Sequence, residues 1–268
     1  MKNEDLFYPE IQADIGSYSF DKGIEVEVYS SKASYFDWAK VSFTEELGEK
    51  VTLSKLDEAV VKLGYDGNLD DVFKGYVNDP VNTGGSSQNE IILKDDMIKL
   101  EETIITNTFL EATPQEILRY SLKKAGIQDY KLSSKVYPKK SIVPIFRKSV
   151  IDVIEEIHNL WRIKELFFFA DKIFYWGEKP SQSKVYEFEY AVNIIDLTFA
   201  DGLWELVTVS APFIKHSQKI KVIHPSISGE FEVSKMVFST TGDGFTRSKI
   251  YFVGDEAWRN NFIYRSDT

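Results

Sequence analysis

Apolar and polar residues alternate near both ends of this 268-residue chain, and that alternation limits the folds open to it. Ile24, Val26 and Val28 are each followed by a polar or aromatic residue, which is the two-residue period of a strand with one solvated face. The segments 70–77 and 224–233 each read as a strand that is entered from a polar turn. Together these patterns predict two similar, barrel-like β modules at opposite ends of the chain.

The first module is predicted over residues 1–108. Its strands are expected over 24–29, 39–45, 59–65, 72–77 and 90–94. Asp66-Gly67-Asn68 is predicted to turn one hairpin, because Gly67 supplies the positive φ that such turns need. An alternative stays open at 54–63, where capping-box spacing and apolar residues at helical intervals would also suit a short helix. The loop 82–87 has a glycine pair but lacks the Lys-Ser/Thr of a phosphate loop.

The middle of the chain, residues 109–183, has a helical period and is predicted to be a small two-helix α+β domain. Thr113-Pro114-Gln115-Glu116 is a strong helix start, with an N-cap, a proline at the first position and a glutamate that can reach back to the cap. Gly126 suits the position after the end of that helix. A second helix is predicted to begin at Ser149, and a hairpin over 166–176 is expected to help cover both helices.

Alternation returns in residues 184–268, which are predicted to form the second barrel-like domain and a C-terminal tail. Its strands are expected over 185–191, 203–209, 219–223, 229–239 and 245–253, with a turn at 241–244. No element is predicted after 253. The predicted fold class is therefore α+β, mainly β, with two barrel-like all-β domains flanking the two-helix domain.

Charge and composition exclude several functions. The net charge is −10 and the isoelectric point is about 5.0, and the sequence shows no basic face that would wrap nucleic acid. There is no cysteine, which excludes a disulfide scaffold and a Cys-ligated zinc site. The N-terminus lacks the apolar region of a signal peptide, and no apolar run has the length of a membrane helix. We therefore expect neither a membrane nor a sequence-specific nucleic acid among the partners.

The sequence contains no constellation of catalytic residues that singles out a reaction. His158, His216 and His224 have no metal-ligand spacing and are expected at the surface or rim. The pairs Asp70-Asp71 and Asp95-Asp96 flank strands and are expected to be solvated turn charges. Hydrolase and dinucleotide motifs are absent from the sequence. We therefore predict that the protein is not an enzyme and has no catalytic, cofactor-binding or metal site.

Two other classes of function would each need specific features in the sequence. A carbohydrate-binding or glycan-hydrolysing β-protein would need Trp38, Trp176, Trp204 or Trp258 to line a groove with carboxylates in reach. A nucleic-acid-binding barrel pair would need a basic groove, against which the acidic isoelectric point argues.

The order of seven segments resembles a known family. They are VFKGYV at 72–77, ILKDDMIKLEE at 92–102, NTFLEATPQEILRYSLKKAGI at 107–127, KSVIDVIEEIHNLW at 148–161, ELFFFADKIFYWG at 165–177, YEFEYAVNIIDLTF at 186–199 and HPSISGEFEVSKMVF at 224–238. In this order they resemble the baseplate hub proteins of contractile phage tails, the late control D family, which is also similar to the base of the type VI secretion spike.

This resemblance implies a homotrimer whose two barrels per chain alternate around a ring. Such a pseudo-sixfold ring would join the hexameric tail tube protein to the trimeric central spike protein, and it would contact other baseplate proteins. Duplicating a domain within one subunit is a simple way to bridge that symmetry mismatch. The implied location is the virion tail baseplate, with synthesis in the cytoplasm of the bacterial host.

Overall fold

The computed structural model describes residues 9–43, 51–79, 90–240 and 246–254, and it divides them into two compact units. The first unit contains the described residues within 9–33, 37–93 and 181–254. The second contains 34–36 and 94–180. The protein is mainly β with three helices among the described residues, which confirms the predicted α+β class.

The first unit is built from strands at both ends of the chain. They are β1 Pro9–Ile15, β2 Tyr18–Phe20, β3 Ile24–Ser31, β4 Trp38–Phe43, β5 Glu58–Tyr65, β6 Asn68–Asp79, β7 Glu90–Lys94, β13 Tyr186–Glu189, β14 Asp196–Ala200, β15 Leu203–Val209, β16 Lys219–His224, β17 Ile227–Thr240 and β18 Thr246–Phe252. Their order is β14-β15-β18-β17-β3-β4-β7-β6-β5-β1-β2, with β16 also paired to β17 and β13 to β16. The pairing of β13 with β16 is parallel, and the pair β3 and β17 is antiparallel.

The pairing of β3 with β17 explains why the two ends cluster as one unit. Tyr29 lies opposite Val237, and the Thr240 hydroxyl accepts a hydrogen bond from the Val26 amide at 2.9 Å. One continuous set of buried side chains lies beneath these strands, as their alternation requires. Its members include Val28, Val41, Val61, Leu93, Leu206, Val233, Met236 and Phe252. The two units are groups of residues that contact one another, and they do not test where domains begin and end. The predicted division into 1–108, 109–183 and 184–268 therefore stays a prediction.

The open alternative at 54–63 is resolved in favour of the strand. β5 and β6 form a hairpin with a two-residue loop, in which Asp66 and Gly67 have φ of 51° and 80°. Positive φ at both loop positions is the geometry that matches the twist of the flanking strands. Ala59, Val61 and Leu63 are buried on one face, so the two-residue period prevails over the helical spacing. The loop 82–87, the turn 241–244 and the tail after 254 lie outside the described residues.

The second unit contains three helices and two small sheets. Its elements are α1 Met97–Glu102, β8 Ile104–Ala112, α2 Pro114–Lys124, β9 Tyr130–Leu132, β10 Lys140–Ser149, α3 Val150–Trp161, β11 Phe167–Ala170 and β12 Ile173–Trp176. β8 pairs with β10 in a two-stranded antiparallel ribbon, while β9, β12 and β11 form a second sheet. The predicted hairpin over 166–176 is confirmed as β11 and β12.

Both predicted helix starts are confirmed, because each N-cap forms a full capping box. Thr113 and Glu116 bond each other's backbone amides at the start of α2, and Ser149 and Asp152 do so at the start of α3. Gly126 follows α2 with φ of 76°. The helix stripes pack on the ribbon and on the β11–β12 hairpin. The shared core includes Ile105, Leu118, Val143, Ile145, Ile154, Phe167 and Trp176.

The expectation that residues 1 to about 110 are entirely β is wrong at one place. α1 interrupts the strands, and its Met97, Ile98 and Leu100 are buried. The Asp95 carboxylate accepts a hydrogen bond from the Met97 amide at 3.0 Å, which satisfies one of the free donors at the helix start. A helix of six residues carries too few apolar repeats to be distinguished from a strand by period alone.

Candidate assembly surfaces

A row of aromatic and charged side chains crosses the face of the large sheet that points away from the first core. Trp38 stacks on Tyr29, with ring centroids 5.4 Å apart and the planes 7° from parallel. The Lys235 ammonium lies 3.7 Å from the centroid of Tyr251 and 5.8 Å from that of Tyr29. The row therefore links strands from both ends of the chain through stacking and cation–π contacts.

The row ends in a hydrogen-bonded carboxylate. Tyr251 lies opposite Glu205 and donates its hydroxyl to that carboxylate, which lowers the pKa of Glu205 against the opposing effect of burial. Lys249, with its ammonium 3.4 Å from Glu205, lowers the pKa further. Burial, and then the bond and charge of Glu205, raise the pKa of Tyr251. Every charge in this row has an attractive neighbour, so the face needs no catalytic role to explain its composition.

Two polar contacts fix the turn between β3 and β4 to the C-terminal half of the first unit. Lys32 is 3% exposed and donates to Glu232 on β17. Asp37 accepts hydrogen bonds from the Ser30 hydroxyl at 2.5 Å and the Ser31 amide at 2.8 Å. The His216 Nε2 atom lies 3.8 Å from the same carboxylate. Burial raises the pKa of Asp37, while the charge of His216 acts in the opposite direction.

The outer face of the β8–β10 ribbon is apolar and exposed. Leu110 and Ile142 lie directly opposite each other and are 68% and 65% exposed. Phe146, 73% exposed, follows on the same face beside a β-bulge at which Arg147 has φ of 48°. We call these three residues, with Ile104 and Pro144, the apolar ribbon. Strands that are apolar on both faces are typical of sheets covered on both sides, whereas the helices cover only one side of this ribbon.

The segment that includes β10, one strand of the apolar ribbon, is rich in Lys and Arg, whereas the other strand, β8, carries the exposed Glu111. Residues 130–151 contain six Lys or Arg and no Asp or Glu. Lys139 and Arg147 are exposed there, whereas Lys148 pairs with Glu156 on α3. Residues 94–180 contain 15 Lys and Arg and 13 Asp and Glu, a net charge of +2, so the rest of the sequence carries −12. The acidic balance of the chain is therefore unevenly distributed along the sequence.

The strand β14 is the end of the large sheet's strand order, and it pairs only with β15 among the described residues. Ile195, Leu197 and Phe199 share one face by the two-residue period. Leu197 packs on the core, whereas Ile195 and Phe199 are 53% and 56% exposed. Tyr190 and Val192 in the preceding turn are exposed as well. We call these four exposed apolar residues, with the exposed carboxylates Glu187, Glu189, Asp196 and Asp201, the acidic edge.

The three histidines do not meet one another, and the expectation that all lie at the surface or rim is wrong for one of them. His216 is 3% exposed and contacts Asp37 and Ser217. His158, partly buried on α3, accepts the indole N–H of Trp176 at 2.7 Å. His224 ends β16 and accepts the Ser226 amide at 3.1 Å. Across residues 9–43, 51–79, 90–240 and 246–254, no three His, Cys, Asp or Glu side chains are grouped to hold a metal ion.

The predicted acidic pairs have different surroundings from those expected. Asp95 and Asp96 are 6% and 4% exposed and belong to the start of α1, where Asp96 pairs with Lys99 at 2.8 Å. They are buried helix-start charges and not solvated turn charges. Asp70 and Asp71 lie within β6, and Asp71 pairs with Lys74 at 2.7 Å.

The described tryptophans that a glycan-binding protein would need in a groove are engaged with other side chains. Trp176 is fully buried and hydrogen-bonded to His158, so it cannot stack on a sugar. Trp38 is stacked on Tyr29, and Trp204 packs against Phe199 at a centroid distance of 5.1 Å. Trp258 lies outside the described residues. Among the helices of the described segments, none combines the length and hydropathy needed to cross a membrane.

Comparison with known proteins identifies the fold through solved structures. No family model matches the chain, and no curated protein sequence matches it. The 43 kDa tail protein of prophage MuSo2 from Shewanella oneidensis superposes with a TM-score of 0.69 at 12% identity, covering 93% of this chain and 98% of that one. A tail protein from Neisseria meningitidis MC58 gives 0.67 at 11% identity, covering 94% and 98%.

A third structure comes from a bacterial secretion system. It is an Escherichia coli component of the type VI secretion system, described as similar in structure to bacteriophage T4 tail proteins. Its TM-score is 0.66 at 12% identity, and the match covers 92% of this chain and 78% of that one. At such identities the likeness shows the fold. The resemblance to baseplate-type tail proteins is thus confirmed at the level of the fold.

Proposed function

We propose that this protein is a structural component of a phage tail or tail-like particle, acting as the hub of its baseplate. The observation that carries the proposal is the fold that it shares, over 93% of its length, with a prophage tail protein. Another structure with this fold belongs to a type VI secretion component. Fold alone does not determine function, and so the proposal needs support from the surfaces.

The surfaces support an assembly role over a catalytic one. The described residues hold exposed apolar side chains in two separate places, the apolar ribbon and the acidic edge. Large exposed apolar patches on soluble proteins commonly mark contacts with other proteins. The titratable groups in the row that contains Glu205, Lys249 and Tyr251 contact one another, which is the pattern of a structural network.

In the proposed hub, three copies form a ring around the tail axis. Residues 1–108 and 184–268 supply the two barrel-like domains, residues 109–183 supply the α+β domain between them, and six barrels face the hexameric tube. The opposite side holds the trimeric spike, and other baseplate proteins bind at the periphery. The location is the virion tail baseplate, after synthesis in the cytoplasm of the host. The pairing of β3 with β17 suits this role, because it joins both ends of the chain in one sheet.

Localisation in purified particles tests the proposal. An affinity-tagged copy of the full chain, expressed in the producing cell, should co-purify with intact tails and be labelled at the end of the tube that bears the spike. A tagged copy of an unrelated soluble protein from the same cell is the control. Tails that contain no copy of the chain, or label along the whole tube, would contradict the hub role.

A further inference from the structure

The hydrogen bond between Trp176 and His158 is compatible with only one protonation state of the histidine. The indole Nε1 of Trp176 donates to the Nε2 atom of His158 at 2.7 Å. An indole N–H can only donate, so the imidazole accepts with an unprotonated Nε2 and carries its hydrogen on Nδ1. In the imidazolium both ring nitrogens carry a hydrogen, and no rotation of the ring restores an acceptor. The bond therefore exists only while His158 is neutral.

This bond joins α3 to the three-stranded sheet of the second unit. Trp176 is fully buried and ends β12, which lies between β11 and β9 in that sheet. The ring of His158 also contacts Phe167 of β11, at a centroid distance of 5.7 Å. A buried N–H that loses its acceptor keeps the full cost of its lost hydration. Protonation of His158 therefore weakens the contact between α3 and the β11–β12 hairpin.

The charged groups of α3 near His158 do not replace the acceptor that Trp176 would lose. Glu155 lies one turn earlier on the helix and would attract an imidazolium, but it already accepts the hydroxyl of Tyr35. A partly exposed helical pair of this kind contributes little. Arg162, at the end of α3, is exposed and carries a charge of the same sign as the imidazolium.

The titratable groups on the other side of Trp176 do not change their charge where a histidine titrates. Tyr137 packs on Trp176 at a centroid distance of 5.9 Å. Burial, and then the charge of Glu165, raise the pKa of Tyr137, so its hydroxyl stays neutral. Glu165 itself pairs with Lys135 at 3.8 Å. His158 is therefore the group in this cluster whose charge changes in mildly acidic solution.

We propose that His158 and Trp176 form an acid-sensitive latch in the second unit. Above about pH 6.5, the value at which a free imidazole titrates, the neutral ring holds the indole. Because only the neutral ring accepts this bond, the opened chain binds the proton more readily than the closed one. The stability that the bond contributes is therefore lost as the pH falls, and the β11–β12 hairpin separates from α3 more often. The latch does not depend on the proposed function and would operate in the isolated chain.

Hydrogen exchange at the Trp176 indole measures the latch directly. Nuclear magnetic resonance of the isotope-labelled full chain gives a separate indole signal for each tryptophan, and Trp176→Phe identifies the one that matters. His158→Gln is the key variant, because its side-chain carbonyl can accept the indole hydrogen at every pH. Between about pH 7.5 and about pH 5.5, the protection of Trp176 should fall by roughly tenfold in the wild type relative to His158→Gln. Comparing the same indole in both proteins cancels the intrinsic effect of pH on exchange.

Two matched variants separate this latch from other titrating groups. His224→Gln makes the same change in the first unit, where that ring accepts the Ser226 amide, and it should leave the loss at Trp176 in place. Glu155→Gln removes the nearest helical carboxylate and should also leave the loss in place. Equal protection of the wild-type indole at both pH values would overturn the latch, and this result requires no variant to fold. A loss of the same size in His158→Gln would overturn it as well.

Discussion

Lys32 and Glu232, separated by 200 positions in the sequence, form an ion pair in the first unit. The side chains are 4% and 16% exposed. The pair connects the β3–β4 turn with β17, next to the strands through which the two ends of the chain join. Substitutions in this ion pair therefore test how much the contact between the two ends of the chain contributes to stability.

Removing one partner of this pair should be costly. Glu232→Ala leaves the Lys32 ammonium in a site with little water, and we expect it to lower the free energy of unfolding by about 3 to 5 kcal/mol. Lys32→Met with Glu232→Leu should cost far less, about 1 kcal/mol or below, because no lone charge remains. Chemical denaturation measures both, with Glu230→Ala on the exposed part of β17 as the control. A Glu232→Ala loss no greater than that of the control would show that the pair contributes little.

The bond from Tyr251 to Glu205 predicts a pH dependence. It lowers the pKa of Glu205 below the usual 4.5, so the unfolded chain takes up a proton at higher pH than the folded one. The resulting stabilisation is complete above about pH 4.5 and is lost as the pH falls through the folded-state pKa. Glu205→Gln and Tyr251→Phe should each flatten the acid limb of the stability curve relative to the unsubstituted protein. An unchanged acid limb in both variants would rule out this contribution.

The buried helix stripes predict large losses on truncation. Leu118 on α2 and Ile154 on α3 are both fully buried, so each substitution to alanine should cost about 2 to 5 kcal/mol. Lys124→Ala, at an exposed position of α2, is the control and should stay near wild type. Losses below about 0.5 kcal/mol at both buried positions would mean that these side chains do not stabilise the second unit in solution.

Sequence reasoning identified the elements whose signals are local. The capping boxes at Thr113 and Ser149 and the Asp66-Gly67 hairpin each depend on two to four neighbouring residues, and all are confirmed. It did not find β1, β2, β8, β9, β10, β14 or α1. β10 contains Ile142 to Phe146, an apolar run without alternation, because a ribbon with two apolar faces has no two-residue period.

Only some features of the candidate surfaces could be predicted from the sequence. The charge of 130–151 could have been found by counting, since it is a basic segment in a chain of net charge −10. The aromatic row could not, because Trp38, Tyr29, Lys235 and Tyr251 come together only through the pairing of β3 with β17. Long-range pairing also buries His216, which nothing nearby in the sequence indicates.

The account further predicts that the protein does not hydrolyse cell-wall glycans. Trp176 is unavailable to a sugar, and the described carboxylates that pair with lysines are engaged in structural contacts. Incubation of the purified chain with peptidoglycan should leave the turbidity of the suspension constant, with lysozyme as the positive control. Clearing by the chain that a single carboxylate substitution abolishes would overturn this prediction.

The central claim is the trimeric hub, and counting copies in the particle tests it most directly. A cryo-electron microscopy reconstruction of intact tails, with the symmetry imposed only after the copies are counted, resolves the ring at the end of the tube. The account predicts three copies, with the two barrel-like domains of each chain alternating to present six similar modules to the tube. Six copies, one copy, or a ring built without this chain would contradict it.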